Sequence, residues 1–287
     1  MIRDKLIIIY SFFKLKIFFR ILKKLIRIFQ NCSSPVLSCY IQNLLFNNKV
    51  YFGYNDKKKL FFAQQRNLIK FFCNFDRGVH LYSKGILHRG NHLGNSYCLQ
   101  NIDFKDNDII VDCGANYGDL HLYLYHCKNI NINYIAFEPD PNPYNCLLNN
   151  IPQTKIFNLG LSNKKSEVNF YISERSGDSS IIEPNSYTKI INIETTTMDI
   201  IFPDLQIDRC KLFKIEAEGF EPEILEGSKF FLKICEYVCI DGGPERGIKK
   251  VKTFDELEEY LLNNDFELVE SNMASHRALY KNKLMKS

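Results

Sequence analysis

Residues with the chemistry of a ligand site stand where the chain turns out of a buried strand. The stretch "IIVDCGANYGDLHLYL", Ile109 to Leu124, places Asp112, Gly114 and Gly118 directly after an apolar run. Glycines in such a turn let the backbone approach a ligand, and the N–H groups at the start of the next helix attract electron-rich groups. Glu138 follows Gly118 by 20 residues, where an acid accepts both hydroxyls of a ribose in nucleotide-binding folds. The spacing therefore predicts a site for a nucleoside-containing ligand.

The loop itself does not fit a dinucleotide. The segment "DCGANYG" has Ala115 and Asn116 where a G-x-G-x-x-G loop would carry its second glycine. Asp112, an acid inside the loop, would repel phosphates and favour a cationic, amino-bearing ligand. S-adenosylmethionine has a ribose, an ammonium, a carboxylate and a sulfonium, and we predict it as the cofactor.

A second group of acids supplies candidates for proton transfer. Glu216 and Glu218 follow an apolar strand that is expected to lie beside the cofactor strand. An alcohol must lose its proton when it attacks a methyl group, which requires a carboxylate or a histidine within hydrogen-bond reach. Glu216, Glu218 and His121, one turn beyond Gly118, are the candidates. The competing interpretations are capping of the helix that begins near Phe220 for the acids, and an ordinary surface or core imidazole for His121.

The elements that must position these residues alternate along the chain from Asp108 onward. Such alternation indicates an α/β fold with a mostly parallel sheet and helices on both faces, in which ligands bind at the carboxyl ends of the strands. The predicted strands are 109–113, 133–138, 155–160, 211–216 and 236–240, with a closing pair near 266–271 and 276–281. The predicted helices are 118–128, 142–150, 220–232 and 253–264.

The chain before this alternation is predicted to form two further parts. Residues 1–30 read as a basic amphipathic helix and residues 31–100 as an N-terminal cap, leaving 101–287 for the main domain. Within the cap, Phe61 to Phe72 has a helical pattern and "HRGNHLGNSY", His88 to Tyr97, is rich in turn-forming residues.

Six motifs in order resemble the FkbM family of S-adenosylmethionine-dependent methyltransferases. They are "VDCGANYGDL", "IAFEPDPNPYNCLLNN", "NLGLSNKKSEVNFY", "GDSSI", "TTTMDII" and "LFKIEAEGFEPEILEGS". The resemblance covers residues 88 to 245. It implies a Rossmann-like, seven-stranded methyltransferase sheet and O-methylation, as in family members that act on sugars or polyketide hydroxyls. We expect the acceptor hydroxyl to lie on a sugar or, because of the basic N-terminal segment, on a glycolipid. An N-methyltransferase, or a non-catalytic nucleotide-binding module of the same fold, remains the alternative.

The resemblance also implies roles for particular residues. The methionine end of the cofactor is expected beside Asp112, Gly114, Asn116 and Gly118, the ribose beside Glu138, and the adenine near Ser162 and Asn163. Glu216 stands where the family usually has Asp, one methylene shorter.

The overall charge of +4 conceals an uneven distribution. Residues 1–30 carry eight basic residues and one Asp, a net +7, which leaves −3 for the rest, so we expect no nucleic-acid partner. On a helix over 14–29, Lys16, Arg20, Lys23, Lys24 and Arg27 share an arc of roughly 100°. We expect this helix to lie on an anionic membrane surface. The alternatives are packing on the body or on a second subunit, or a secretory signal around Leu6 to Phe13.

The cysteines and the absence of zinc-type spacing bear on location and metal content. The ten cysteines include Cys113 inside the ligand loop and show no C-x-x-C pair. We therefore expect free thiols in a cytoplasmic enzyme without a metal. From the earlier observations we also expect it to be peripheral on the inner face of the membrane and to act on a small-molecule or glycan acceptor.

Overall fold

The computed structural model describes residues 24, 26, 34–65, 69–152, 154–173 and 178–285. The strands are β1 Tyr51–Asn55, β2 Leu60–Gln65, β3 Ile69–Cys73, β4 Ile109–Cys113, β5 Asn133–Phe137, β6 Lys155–Phe157, β7 Gly160–Leu161, β8 Ser166–Ile172, β9 Lys189–Thr196, β10 Cys210–Ile215, β11 Cys235–Asp241, β12 Phe266–Asn272 and β13 Arg277–Asn282. The helices are α1 Pro35–Leu45, α2 Phe75–Tyr82, α3 Ile86–Ser96, α4 Asp119–His121 with a π-helical continuation Leu122–Cys127, α5 Pro141–Asn150, α6 Met198–Ile201, α7 Glu221–Glu226 and α8 Phe254–Asn263, with 3₁₀ turns at Leu99–Asn101 and Phe231–Ile234.

The central sheet has seven strands in the order β12-β13-β11-β10-β4-β5-β6. Its strands β6, β5, β4, β10 and β11 are parallel, and β13 and β12 close it in antiparallel fashion. The predicted Rossmann-like, mostly parallel seven-stranded sheet is confirmed. The chain moves outward from β4 to β6 and then returns to place β10 on the other side of β4. That reversal of direction creates a crevice at the carboxyl ends of β4 and β10, where α/β sheets bind ligands.

The predicted elements of this sheet are present, with one difference. The predicted strand 155–160 is two strands, because Lys155–Phe157 joins the central sheet and Gly160–Leu161 pairs with β9 in a separate sheet, β7-β9-β8. This small sheet has its own apolar centre around Phe170, Ile172 and Ile193. The predicted helix 118–128 is present as Asp119–Cys127, with wider π-helical geometry from Leu122 onward, whereas the predicted helix 220–232 ends early, at Glu226.

The expected helix at Phe61 to Phe72 is wrong. Residues there form the antiparallel strands β2 and β3, in which Phe62 pairs with Phe72 across the ladder. Their rings meet edge to face at a centroid distance of 6.2 Å. A short run rich in aromatic residues fits helical spacing and a hairpin equally well, and cross-strand aromatic packing decided the outcome here.

The turn-rich stretch His88 to Tyr97 is also corrected, because it lies largely within α3. Its glycines permit close packing and do not form turns. A Cβ on Gly90 would lie 2.8 Å from Cys127 Sγ, and one on Gly94 would lie 2.3 Å from the Tyr123 ring. Glycines four residues apart therefore give α3 a face without side chains, which presses against the π-helical turn.

The remaining sequence predictions concern the N-terminal amphipathic helix, membrane-spanning segments and the cysteines. The amphipathic helix at 14–29 lies outside the described residues except for Lys24 and Ile26. Within the described ranges, no helix combines the length and apolar content that a bilayer crossing needs. All nine cysteines in these ranges are free thiols.

Candidate functional site

A cavity opens where the central sheet meets the N-terminal helices. Its floor consists of the segments that follow β4, β5 and β6 and of the end of β10. Its other wall comes from α2 and α3, which contribute residues 74, 77, 81, 89 and 93. Asp112, Gly114, Asn116, Glu138, Glu216 and Glu218 all line this cavity. The fold thus brings together six of the ten catalytic and cofactor-binding residues that were predicted from the sequence.

Glu138 is buried at the end of β5, and only backbone groups hold its carboxylate. Its Oε2 accepts a hydrogen bond of 2.7 Å from the Asn116 N–H, and its Oε1 one of 2.9 Å from the Asp140 N–H. Burial raises the pKa of Glu138 to about 8, and the charge of Asp140 adds to the rise. The carboxylate is therefore fixed in position, and among the described residues it forms no direct ion pair, although Lys214 partly offsets its charge from a distance.

The loop between β4 and α4 carries two residues in the left-handed region of backbone space. Gly114 has φ +73° and Asn116 has φ +51°. A Cβ on Gly114 would lie 1.8 Å from the Glu216 carbonyl oxygen, so this glycine lets the ends of β4 and β10 approach. The side-chain oxygen of Asn116 is buried and has no partner among the described residues. A buried unpaired amide oxygen in a cavity wall indicates a ligand that supplies the missing donor.

Asp112 belongs to a chain of ion pairs, which we call the ion-pair chain: Asp112, Lys214, Glu216, Arg277 and Asp241. Lys214 Nζ lies 2.9 Å from Asp112 Oδ1 and 2.9 Å from Glu216 Oε2. Arg277 joins Glu216 and Asp241, each at 2.7 Å. Because Lys214 compensates the charge of Asp112, the expected repulsion of phosphates by this acid has no basis in the structure.

The charges of the ion-pair chain set the protonation of its members. Burial would lower the pKa of Lys214, but Asp112 and Glu216 raise it above its ordinary value. Burial also favours a raised pKa for Glu216, yet Lys214 and Arg277 outweigh it and hold that pKa below the usual range. Glu216 is therefore ionised and paired at neutral pH, and it is a weak base.

Glu218, two residues further on, has the opposite environment. Burial raises its pKa well above the ordinary value, and the charges of Glu245 and Asp178 act in the same direction. Within the described ranges nothing donates a hydrogen bond to its carboxylate, and its φ of +52° is strained for a residue with a side chain. Glu218 therefore lines the cavity as a carboxyl group with a raised pKa, in contrast to Glu216.

The N-cap residue of α7, Phe220, makes no side-chain capping hydrogen bond, and a third acid holds the turn before this helix. Glu221 Oε1 accepts hydrogen bonds from the Ala217 and Gly219 N–H groups at 2.8 and 3.1 Å. Its Oε2 faces the Thr253 hydroxyl at 3.3 Å. Because Glu221 braces the turn before α7, Glu216 and Glu218 are not needed for that purpose.

The structure does not bring His121 to the cavity. Its ring stacks on Tyr125 and meets Tyr134 edge to face, both at 5.3 Å between centroids. Burial lowers its pKa to about 4, so the imidazole is neutral and packed in an aromatic cluster. Its side chain is not among those that line the cavity.

Three further residues with predicted cofactor roles lie beside the cavity lining. Gly118 contacts α5, since a Cβ there would lie 2.7 Å from Ile151 Cδ1. Asn163 donates to Glu226 Oε2 at 2.9 Å, and Ser162 is buried next to it. The lining residues of this wall are Leu159, Gly160 and Leu161. Contact of Ser162 and Asn163 with an adenine stays a prediction.

Sequence reasoning missed the cationic wall that α2 and α3 contribute. Arg89 Nε pairs with Asp119 Oδ2 at 2.7 Å, and the Tyr82 hydroxyl donates to Asp119 Oδ1 at 2.7 Å. Arg77 Nε is buried and has no partner among the described residues. Asp119 follows Gly118 directly in the loop motif, which was the available signal for a partner from the cap. No group of three metal-ligating side chains in the described ranges is placed to hold a metal ion.

Comparison with known proteins identifies the family. The curated hexuronic acid methyltransferase AglP of Haloferax volcanii is 27% identical over 143 residues, which are 48% of this chain and 56% of that protein. The chain thus spans little more than half of that relative. Among solved structures, an FkbM methyltransferase of Methylobacillus flagellatus KT aligns at 18% identity and a TM-score of 0.44, covering 63% of this chain and 45% of that chain. TrmK of M. capricolum, solved with S-adenosyl-homocysteine, aligns at 13% identity and a TM-score of 0.35, covering 69% of each chain.

A family profile covers more of the chain than the curated relative does. Residues 112–268 match the profile described as the Methyltransferase FkbM domain, more than half of the chain. The chain belongs to the FkbM methyltransferase family.

Proposed function

We propose that this member of the FkbM methyltransferase family transfers a methyl group from S-adenosylmethionine to an oxygen atom of a sugar or glycan. The observation that carries the proposal is Glu138, a buried carboxylate at the end of β5 that two backbone N–H groups aim into the cavity. Ribose hydroxyls are donors that such a carboxylate accepts.

The other residues of the cavity fit the same cofactor. Asn116 offers a buried, unpaired side-chain oxygen, which suits the ammonium or a hydroxyl of the cofactor. Pro139, Leu159 and Leu161 give one wall an apolar surface for a flat base. When bound, S-adenosylmethionine would supply an electrophilic methyl group on a sulfonium.

The acids at the end of β10 divide the remaining tasks between them. With S-adenosylmethionine bound, Glu218 would accept the proton of the acceptor hydroxyl as the methyl group passes from the sulfonium to the oxygen. Burial and the acidic neighbours Glu245 and Asp178 raise its pKa, which makes its ionised form a stronger base than an ordinary carboxylate. Glu216, fixed by Lys214 and Arg277, is a positioning residue that holds the turn carrying Glu218.

Two observations support an acceptor of the sugar class. The curated relative bears the name of a methyltransferase for a hexuronic acid, a sugar with hydroxyls and a carboxylate. In this chain, Arg77 and Arg89 offer cationic groups along the cavity, and Glu218 and Glu245 offer acceptors for hydroxyls nearby. A polar, hydroxyl-rich acceptor matches this mixture of charges.

We also propose that residues 14–29 bind an anionic membrane surface on its cytoplasmic side. If these positions are placed on a helix, the sequence puts five basic residues on one arc and mostly apolar residues on the rest. A glycolipid acceptor at that surface would then lie close to the enzyme.

Calorimetry with S-adenosylmethionine, followed by incubation with labelled cofactor and sugar acids, tests the methyl-transfer proposal. We expect binding that weakens in Glu138→Ala and is unchanged in the matched control Glu259→Ala, an exposed acid on α8 outside the cavity lining. Mass spectrometry of the product should place the methyl group on oxygen. A methyl group on nitrogen would support the N-methyltransferase alternative, and binding of NAD without the sulfonium would reject the proposal.

A further inference from the structure

The helix α1 has its apolar side turned outward. The exposed side chains of this helix are 41 to 66% accessible, and all of them are apolar or aromatic: Val36, Leu37, Tyr40, Leu44 and Leu45. Its buried side chains are Ser38, Cys39 and Gln42. An amphipathic helix of a globular protein shows the reverse arrangement in water. We call the five outward residues the α1 outer face.

Polar contacts fix the rotation of this helix about its axis. The Asn43 side chain donates to the Phe52 carbonyl at 2.7 Å and accepts from the Phe52 N–H at 2.9 Å. Gln42 Nε2 donates to Asn48 Oδ1 at 2.9 Å. Turning the α1 outer face inward would break these hydrogen bonds and bury their partners unpaired. The outward direction of the apolar side is therefore built into the packing of α1 on β1.

The surroundings of the α1 outer face favour one occupant. Residues 34 to 48 contain no charged side chain, so no residue of this stretch would have to be dehydrated as an ion. The sequence immediately before α1 is strongly basic, with a net charge of +7 over residues 1–30. An uncharged apolar stripe beside a cluster of basic residues is the combination that binds the interface of an anionic bilayer.

We propose that the α1 outer face inserts into the interface of an anionic lipid bilayer. This inference rests on the described residues of α1 and on the charge of the preceding sequence, and it requires neither methyl transfer nor a particular structure of residues 14–29. A bilayer accommodates the exposed leucines without the complementary surface that a protein partner would have to supply. The partner class is a membrane that contains acidic phospholipids.

The absence of tryptophan from the chain allows a direct test. The full-length Leu44→Trp variant carries a single indole in the α1 outer face. The matched control Leu262→Trp carries one on α8, where Leu262 is 46% exposed. Vesicles of phosphatidylglycerol and phosphatidylcholine with brominated acyl chains quench indoles that enter the hydrocarbon boundary. We expect quenching and a blue shift at position 44 only when vesicles are added, and neither at position 262.

Three outcomes would overturn the proposal. Equal quenching at both positions would show that α1 has no special contact with lipid. Blue-shifted emission at position 44 without vesicles, independent of protein concentration, would show that another segment of the chain covers the face. The same shift with concentration dependence would show a second copy.

As a second measurement, Leu44→Gln with Leu45→Gln should lower flotation with anionic vesicles by about tenfold or more, because two apolar side chains are lost from the contact. Unchanged flotation would also contradict the proposal. None of these measurements depends on catalysis, so the methyltransferase proposal can fail or hold separately.

Discussion

The ends of β5 and β10 present carboxylates to the same cavity under opposite electrostatic conditions. At the end of β5, only backbone N–H groups hold Glu138, and its pKa is raised to about 8. At the end of β10, Glu216 lies between two cations that hold its pKa below the usual range. The β10 end is thus neutralised by the protein itself, whereas the β5 end is completed only by a ligand that donates hydrogen bonds.

The β10 end is in turn divided within two residues. Glu216 has Lys214 and Arg277 as partners, while Glu218 has acidic neighbours and a raised pKa. Neighbouring acids whose environments push their pKa values apart are a recurrent basis for assigning different roles in catalysis. The ion-pair chain therefore acts as a scaffold for the turn that presents Glu218.

The largest effect is expected from removing the central cation of that scaffold. Lys214→Met keeps an apolar stem in place but leaves Asp112 buried beside Tyr134 without a counterion. Breaking a buried ion pair by removing one partner costs about 3–5 kcal/mol of unfolding free energy. Urea denaturation measures the loss. The control Lys105→Met removes a pair at 3.8 Å in which Lys105 is 75% exposed, and should cost less than about 1 kcal/mol. Similar losses in both variants would mean that the ion-pair chain does not stabilise the β10 end.

The next effect separates the two acids of β10 by their kinetics. Glu218→Gln should lower the rate of methyl transfer by about 10² to 10⁴ and leave cofactor affinity unchanged, because it removes only the base. Glu216→Gln should lower the free energy of unfolding, since Gln offers Lys214 and Arg277 one carbonyl oxygen in place of two carboxylate oxygens. Its effect on the rate should be smaller than that of Glu218→Gln. Single-turnover kinetics and urea denaturation on both variants test the division. A larger rate loss in Glu216→Gln than in Glu218→Gln would reverse the roles.

The sequence predicted the strand–loop–helix units of the fold because each is specified by residues close together. The strand Ile109–Cys113 and the helix Phe254–Asn263 follow from apolar runs and helical periodicity over a few turns. The errors arose where distant contacts decide. The hairpin of β2 and β3 is stabilised by aromatic pairing across strands, and the glycines of α3 are explained only by Tyr123 and Cys127 on another element.

The candidate site also contains residues that local sequence patterns predict and residues that only distant contacts bring together. Asp112, Asn116 and Glu138 belong to two consecutive strand–loop units, and their spacing was visible in the sequence. Arg277 reaches Glu216 from 61 residues further along the chain, and Arg89 reaches Asp119 across 30 residues. No local pattern specifies such pairs, so the cationic partners that set the pKa values of the acids could not be assigned without the fold.

Cofactor affinity should depend on pH through Glu138 at the β5 end. Between the ordinary carboxyl range and about 8, free Glu138 holds a proton that the ribose-bound carboxylate must release. Cofactor affinity should therefore increase as pH rises toward about 8 and level off above it. In Glu138→Gln the affinity should be lower, by about 1–3 kcal/mol, and its pH dependence should be lost. Calorimetry in buffers of different ionisation enthalpy measures the proton released on binding. The same pH dependence in the variant would assign that proton to another group.

The smallest effect is expected at Asn163, which the family resemblance places near the adenine. Its side chain bonds Glu226 at the surface, while the adjacent cavity wall is made of Leu159, Gly160 and Leu161. A surface substitution away from special contacts changes free energies by less than about 0.5 kcal/mol, so Asn163→Ala should alter neither cofactor affinity nor stability beyond that. Calorimetry beside Glu138→Ala gives the comparison on one scale. If Asn163→Ala weakened binding as strongly as Glu138→Ala, the adenine would have to reach past Leu161, and cofactor binding would depend on the β7 wall as much as on the β5 end.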